Sequence, residues 1–359
     1  MATSLNTVLV TGGAGFIGAR LALGLKETCP ETRVIALDNL KRRGSGLNLG
    51  RLRRGGVEFV HGDVRMPEDL PVLDRLDLII ECSAEPSVLA GYGGSPRYVI
   101  DSNLVGAVHC LELARRNNAA MIFLSTSRVY PLEKLRSIAL EEAPGRFEIA
   151  PTQSLPGISR AGIAEDFPLD GARSLYGATK YAAETLIAEY VDMYDLDIVV
   201  NRCGVIAGPW QMGRVDQGIA ALWTARHVYG GALTYIGYQG TGKQVRDMLH
   251  VDDLLALVLR QTAAMAELRG SVFNVGGGAE NSVSLVELTE LCCQATNTVI
   301  PIGADTENRQ GDIPLYITDN ARVTEACDWQ PEKSAAVIIE DLARWIYDNR
   351  DMLQPILNA

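Results

Sequence analysis

A β-branched run ending in a close-set trio of glycines constrains this chain more than any other feature. Val8-Leu-Val-Thr-Gly12-Gly-Ala-Gly15-Phe16-Ile17-Gly18 reads as a strand, a tight turn and the opening of a helix. Missing side chains at Gly12, Gly15 and Gly18 let a pyrophosphate reach backbone N–H groups at a helix N-terminus, where the macrodipole also favours an anion. A glycine string alone is a weak sign. Here the next β-branched run, Arg33–Leu37, ends at an acidic residue, Asp38, about 20 residues on, where a ribose-binding carboxylate is required. That carboxylate can accept hydrogen bonds from both ribose hydroxyls and repels a 2′-phosphate, so NAD is expected rather than NADP. Arg42 and Arg43 argue the other way, since a nearby arginine neutralises such a phosphate; we read them as solvated loop residues. Asp63, just past the third strand, either receives the adenine amino group or simply caps its loop.

Up to about residue 200 one theme repeats, a short β-branched run followed by a helical segment, the signature of parallel strands with crossover helices. The expected strands are Thr7–Val10, Arg33–Leu37, Val57–Val60, Leu76–Glu81, Ala120–Leu124 and Leu196–Asn201. Between them Phe16–Lys26, Val105–Arg116 and Ala178–Tyr194 carry apolar residues at three- and four-residue spacing. The expected fold is therefore α/β, a Rossmann doubly wound parallel sheet over residues 1–203, with a smaller C-terminal substrate-binding lobe over 204–359, parts of which can return to the first domain. Pro131 to Arg173, rich in Pro, Gly and acidic residues, is too long for an ordinary connection and reads as a flap or an insertion.

Composition excludes more than it selects. The chain has 359 residues, 47% of them hydrophobic, and a net charge of −11, which speaks against a nucleic-acid partner. A few arginines in a cleft still hold a diphosphate, because only the local field counts at contact distance. The seven cysteines show neither a disulfide framework nor metal-ligand spacing, so no metal is expected. No apolar run is long enough to span a membrane, and we expect a cytoplasmic protein with no membrane partner.

Tyr176-Gly-Ala-Thr-Lys180 opens a helix, and the four-residue spacing stacks a phenol and an ammonium on one face. A phenol that titrates near ~10 must be lowered by about three units, or roughly 4 kcal/mol, to act as a base near neutrality. One cation at about 4 Å, with an effective dielectric near 20, supplies ~4 kcal/mol. Leu124-Ser-Thr126-Ser127-Arg128-Val-Tyr130 ends a strand at the carboxyl edge of the sheet, where a hydroxyl can orient a substrate alcohol.

On these motifs, in this order, the chain resembles the extended short-chain dehydrogenase/reductases, the sugar-nucleotide epimerases and dehydratases. The resemblance implies Thr126, Tyr176 and Lys180 as catalytic triad, a homodimer packed through helices of the Rossmann domain, and Asn103 as support for a nearby loop. It implies a cofactor set of Gly12, Gly15, Phe16, Ile17, Gly18, Asp38, Asn39, Asp63, Val64, Ser83, Ala84 and Asn103 together with Tyr176 and Lys180. Dehydratases of the family place Asp-Glu after the strand-end Thr; Ser127-Arg128 stand there instead, and elimination loses its proton relay.

Three later segments, Trp210–Gly218, Gly240–Asp253 and Asn274–Leu285, resemble the branch of the family that inverts carbon 2 of a CDP-linked sugar. That narrower resemblance implies Arg246 on the substrate diphosphate and Arg309 as a second nucleotide contact, with Ser127, Gln211, Asp216, Gln217, Gln244 and Asp312 around the nucleotide sugar. Both arginines suit the task, because a guanidinium fork pairs two phosphate oxygens at once. Other reactions of the family remain open (4-epimerisation, decarboxylation, net reduction), as does a non-catalytic dinucleotide sensor. The chain departs from the family pattern at Glu81-Cys82-Ser83-Ala84-Glu85, which puts polar groups beside the cofactor. It departs again at Asn201–Val205, which lacks an Asn at the substrate edge, and at Pro131–Arg173.

Overall fold

The structure is a computed structural model that describes residues 5–213 and 217–358. Its centre is a sheet of seven strands: β1 (Thr7–Thr11), β2 (Arg33–Asp38), β3 (Glu58–His61), β4 (Leu78–Glu81), β5 (Ala120–Thr126), β6 (Ile198–Cys203) and β7 (Val272–Val275). Their order is β3-β2-β1-β4-β5-β6-β7, and every neighbouring pair is parallel. The expected α/β doubly wound sheet is present, with strand ends displaced by one or two residues from the expected ones.

Continuous apolar runs make these strands because both faces of the sheet are covered. Val8 and Val10 join the cluster that includes Leu21, Leu25 and Leu254. Leu9, between them, points to the other face, into the cluster with Leu111, Phe123, Ala183 and Ile187. The helices responsible are α1 (Phe16–Thr28) on the first face, and α2 (Gly106–Asn117) and α3 (Leu175–Tyr194) on the second. The Ser174 side chain caps α3, accepting from the Gly177 N–H at 3.2 Å.

The C-terminal half is not one contiguous lobe. After α4 (Ile219–Tyr229), helix α5 (Val251–Ala263) packs on α1 so closely that a Cβ at Gly24 would lie 2.2 Å from Leu255. It leads into β7, which pairs with β6; this strand was absent from the sequence-based expectation. The helix Ala321–Cys327 also returns to the sheet, Val323 and Trp329 joining its first cluster, while in the second lobe α4, α6 (Leu285–Thr296) and α7 (Ala335–Asp348) surround a core containing Trp223, Leu288, Ile338 and Leu342.

Pro131 to Arg173 folds into a short helix, Leu132–Arg136, and two small antiparallel hairpins. It is anchored rather than hanging free. Arg146 reaches Glu287 at 3.2 Å, Lys243 reaches Glu142 at 2.7 Å, and the Ile163 N–H donates to the Ile317 carbonyl at 2.8 Å. Tyr130, Ile163, Phe167, Ile313 and Tyr316 form one apolar cluster that joins this segment to both halves of the molecule.

Candidate active site

The strand order reverses at β1, whose neighbours β2 and β4 lead away in opposite directions, and a crevice opens there at the carboxyl ends of the strands. A cavity of about 510 Å³ occupies it, walled by the turn after β1, the end of β2, the loop after β4 and the ends of β5 and β6. The Gly12 backbone has φ of +61°, and a Cβ there would meet the Cys82 backbone at 2.9 Å. A Cβ at Gly18 would lie 2.2 Å from the Gly12 oxygen, so that glycine lets α1 start directly against the turn. Gly15, the N-cap of α1, faces the cavity along with Phe16 and Ile17. A dinucleotide pyrophosphate fits this cradle, whose backbone walls close up this tightly only with glycine at Gly12 and Gly18.

At the end of β2, Asp38 accepts from the Leu40 N–H at 2.7 Å and the Ala14 N–H at 3.1 Å, so it ties its own loop to the glycine turn. Burial pushes its carboxyl up against the downward pull of those hydrogen bonds. Asn39 lines the same end of the cavity and donates to Asp63 at 2.9 Å. Arg65 approaches Asp63 at 2.6 Å, and although burial opposes it, these partners hold the Asp63 carboxyl down at about 2. Both Asp63 oxygens therefore have protein partners, and of its two expected roles the geometry displays the loop cap. Val64, Ser83 and Ala84 lie on the wall. Asn103 does not reach it. It is buried in a π-helical turn, accepts from the Glu85 N–H at 2.7 Å and donates to the Glu85 carbonyl at 3.1 Å, bracing the loop after β4.

Thr126 ends β5, and its hydroxyl interacts with the Tyr176 phenol. Lys180 follows one turn along α3, only 2% exposed, with its Nζ 4.2 Å above the Phe123 ring. The expected acidification of Tyr176 is not what the structure gives: burial pushes the phenol up, outweighing Lys180, Thr126 and Arg128, which pull it down. The Lys180 ammonium is itself shared. Its Nζ lies 3.1 Å from an oxygen of Glu81, a carboxylate 1% exposed at the end of β4.

A second cavity of about 440 Å³ adjoins the first, the two sharing Arg128, Val205, Gln217 and Arg246 among their walls. Ser127 and Gln211 face the first; Gln244, Arg309 and Asp312 face the second. The side-chain oxygens of Gln211 and Gln244 are buried with no hydrogen-bond partner among the described residues. Their amide nitrogens donate to the Ile206 carbonyl at 2.8 Å and the Ile236 carbonyl at 2.7 Å. Arg246 pairs with Asp312 at 3.0 Å and donates to the Ile313 carbonyl at 2.7 Å, so the Asp312 carboxylate serves the arginine. Gln217 accepts from Arg42, which thus bridges the ribose loop and the second lobe. Asp216 lies outside the described residues.

Two residues matter more than their spacing suggested. Arg128 lies on the wall of both cavities and donates to the Gly311 carbonyl at 3.1 Å; burial and the neighbouring Arg246 hold it down at about 10. Its signal was present, since an arginine stands where dehydratases carry an acid, but only the missing acid was read. Glu81 was legible as a departure and not as the partner of Lys180.

The family model described as the NAD dependent epimerase/dehydratase family matches residues 8–276. CDP-paratose 2-epimerase of Salmonella typhi is 30% identical over 351 residues, 94% of this chain and 98% of that protein. Among solved structures, UDP-glucose 4-epimerase of Thermotoga maritima with UDP-glucose superposes with a TM-score of 0.76 at 25% identity, over 96% of this chain and 99% of that one. A dTDP-glucose 4,6-dehydratase of Streptomyces venezuelae with NAD bound gives 0.77 at 25% identity, over 98% and 99%.

Proposed function

Since the chain belongs to the NAD-dependent epimerase/dehydratase family, we propose that it is a nucleotide-sugar epimerase that inverts carbon 2 of a CDP-linked sugar. Its cofactor is NAD. One observation carries the choice of epimerisation over dehydration: Thr126, Tyr176 and Lys180 are assembled at one end of the crevice, while Ser127 and Arg128 fill the places of the acid and base that elimination needs. The choice of carbon 2 and of CDP follows the full-length similarity to the Salmonella typhi 2-epimerase and the Trp210–Gly218 and Gly240–Asp253 segments.

Bound along the glycine turn, NAD supplies a reversible acceptor for the hydride of a sugar carbon. The Tyr176 oxygen takes the hydroxyl proton of that carbon and returns it, and the Thr126 hydroxyl orients the alcohol. Arg246, Arg128 and Arg309 hold the diphosphate, leaving the sugar free to present its second face. With NAD bound there, the cofactor would be regenerated in each cycle, and no external oxidant or reductant would be consumed. Seven free thiols suit a reducing cytoplasm. Leu175, Met193 and Tyr194, exposed at the two ends of α3, are apolar surface that a homodimer would cover.

The test is incubation of the purified protein with CDP-, UDP- and dTDP-sugars, with products read by NMR. An isomer of unchanged mass, inverted at carbon 2, is expected from a CDP-sugar. Inversion at carbon 4, loss of water or carbon dioxide, or a stoichiometric demand for NADH each overturns the assignment, and binding of NAD with no turnover of any sugar points to a sensor.

A further inference from the structure

Glu81 ends β4 beneath Lys180, and both side chains are out of water, 1% and 2% exposed. One carboxylate oxygen lies 3.1 Å from the ammonium; the other is buried with no hydrogen-bond partner among the described residues. Such a carboxylate persists in the interior only through a partner of opposite charge, and Lys180 is its ion partner here. The pairing links residues 99 positions apart, across two strands and a helix.

We infer that Glu81 is a positioning residue that holds Lys180 in place and cancels part of the ammonium's field at the Tyr176 phenol, setting the pH range in which that phenol exchanges its proton. The inference rests on Tyr176 being the base of the proposed reaction. The groups acting on the phenol are Lys180 on α3, Thr126 at the end of β5 with Arg128 beyond, and Cys203 at the end of β6. Behind Lys180, Cys82 after β4 and Cys110 on α2 face the Glu81–Lys180 pair. Burial pushes the three thiols up, Cys203 to about 12, so they are neutral. Burial pushes the Glu81 carboxyl up and the Lys180 ammonium draws it back down; Lys180 acts on the phenol more strongly than Arg128.

An ammonium alone at about 4 Å lowers a phenol by about three units at an effective dielectric near 20. A carboxylate paired with that ammonium opposes it, and cancels part of the lowering. The phenol then starts its work at a pH well above that expected from the Tyr-x-x-x-Lys spacing.

Tyrosinate ultraviolet absorbance of the NADH-loaded protein, whose nicotinamide ring carries no charge, tests this without any sugar substrate, with Tyr176→Phe as the subtracted reference. Burial holds the Tyr176 phenol up, so its midpoint in the unsubstituted protein is expected no lower than that of an ordinary phenol. In Glu81→Gln it falls by about one to two units, and the acidic limb of any epimerisation profile falls with it. A midpoint below that of an ordinary phenol in the unsubstituted protein, or a Glu81→Gln midpoint unchanged or raised, overturns the inference. Should Glu81→Gln not fold, the first midpoint still decides. A protein that epimerises nothing would end the proposed function and leave this titration intact, so the two failures are separable.

Discussion

Replacing Arg128 by Gln should weaken diphosphate binding far more than it disturbs the fold. The Arg128 guanidinium spends one nitrogen on the Gly311 carbonyl at 3.1 Å and lies on the wall of both cavities. Held at about 10, it stays protonated at neutral pH, and no carboxylate among the described residues forms an ion pair with it. A charge-assisted hydrogen bond is worth about 1.5–3 kcal/mol, and Gln keeps the shape without the charge. Some of that loss is returned, because Arg246 no longer faces a like charge in the unliganded cleft. The net expectation is a fall of about 10- to 100-fold in affinity for CDP. Calorimetric titration of the NAD-loaded protein with CDP and with CMP measures it; the CDP-to-CMP preference should shrink, and the melting temperature should move little. CDP affinity within twofold of the unsubstituted protein would refute the reasoning, and failure of that protein to bind any nucleoside diphosphate would remove the diphosphate role of all three arginines.

Tyr176→Phe should retain NAD and lose at least about 1000-fold in turnover, since it deletes the proton acceptor and nothing else; near-normal rates would eliminate the proposed base. Gly18→Ala should release NAD, because a Cβ 2.2 Å from the Gly12 oxygen forces the glycine turn away from α1; fluorescence titration with NADH reads the loss, and unaltered affinity contradicts the cradle. Asp63, lowered to about 2 in the fold, contributes stability that is present above the unfolded value near ~4 and is lost as pH falls through 2. Discounted for partial exposure, that contribution is about 1–2 kcal/mol, so Asp63→Asn should be less stable at pH 7 by this amount, with the gap closing below about pH 4 in urea unfolding; a pH-independent gap counts against the linkage.

What the sequence displayed and what it hid divide along the range of the interactions. The glycine turn, the Tyr176/Lys180 stacking and strands β1 to β6 rest on neighbours within one or two turns of chain, and local spacing reveals them. β7, a four-residue run, sits between loops of the second half, and only its pairing with β6 makes it part of the sheet. Pro131 to Arg173 carries little periodicity because its order comes from anchors elsewhere, Arg146 on Glu287 and Ile163 on Ile317. The pairing of Arg246 with Asp312 spans 66 positions, and no spacing rule reaches that far.

The two departures from the family pattern at the reacting centre acquire a joint meaning once the charges are located. The carboxylate stands at the end of β4, behind Lys180, while a cation stands just past β5 on the substrate wall. Water loss from a sugar ketone needs a group beside the ring that removes one proton and another that protonates the leaving hydroxyl. On the substrate wall after Thr126 stand only a neutral hydroxyl, Ser127, and a guanidinium that stays protonated. Glu81 is tied to the ammonium and absent from both cavity walls, and Glu184, beside Ser125, is tied to Arg202. In the proposed reaction a ketone in this cleft has no acid at the place after Thr126 and returns to the alcohol. Placing an acid back at the wall, as in Arg128→Glu, should open elimination only if the ring reaches it; a ketone at carbon 2 acidifies the hydrogen of carbon 3 and releases the hydroxyl of carbon 4, so a dehydrated product in mass spectrometry would locate carbons 3 and 4 at that wall, and its absence would place them elsewhere.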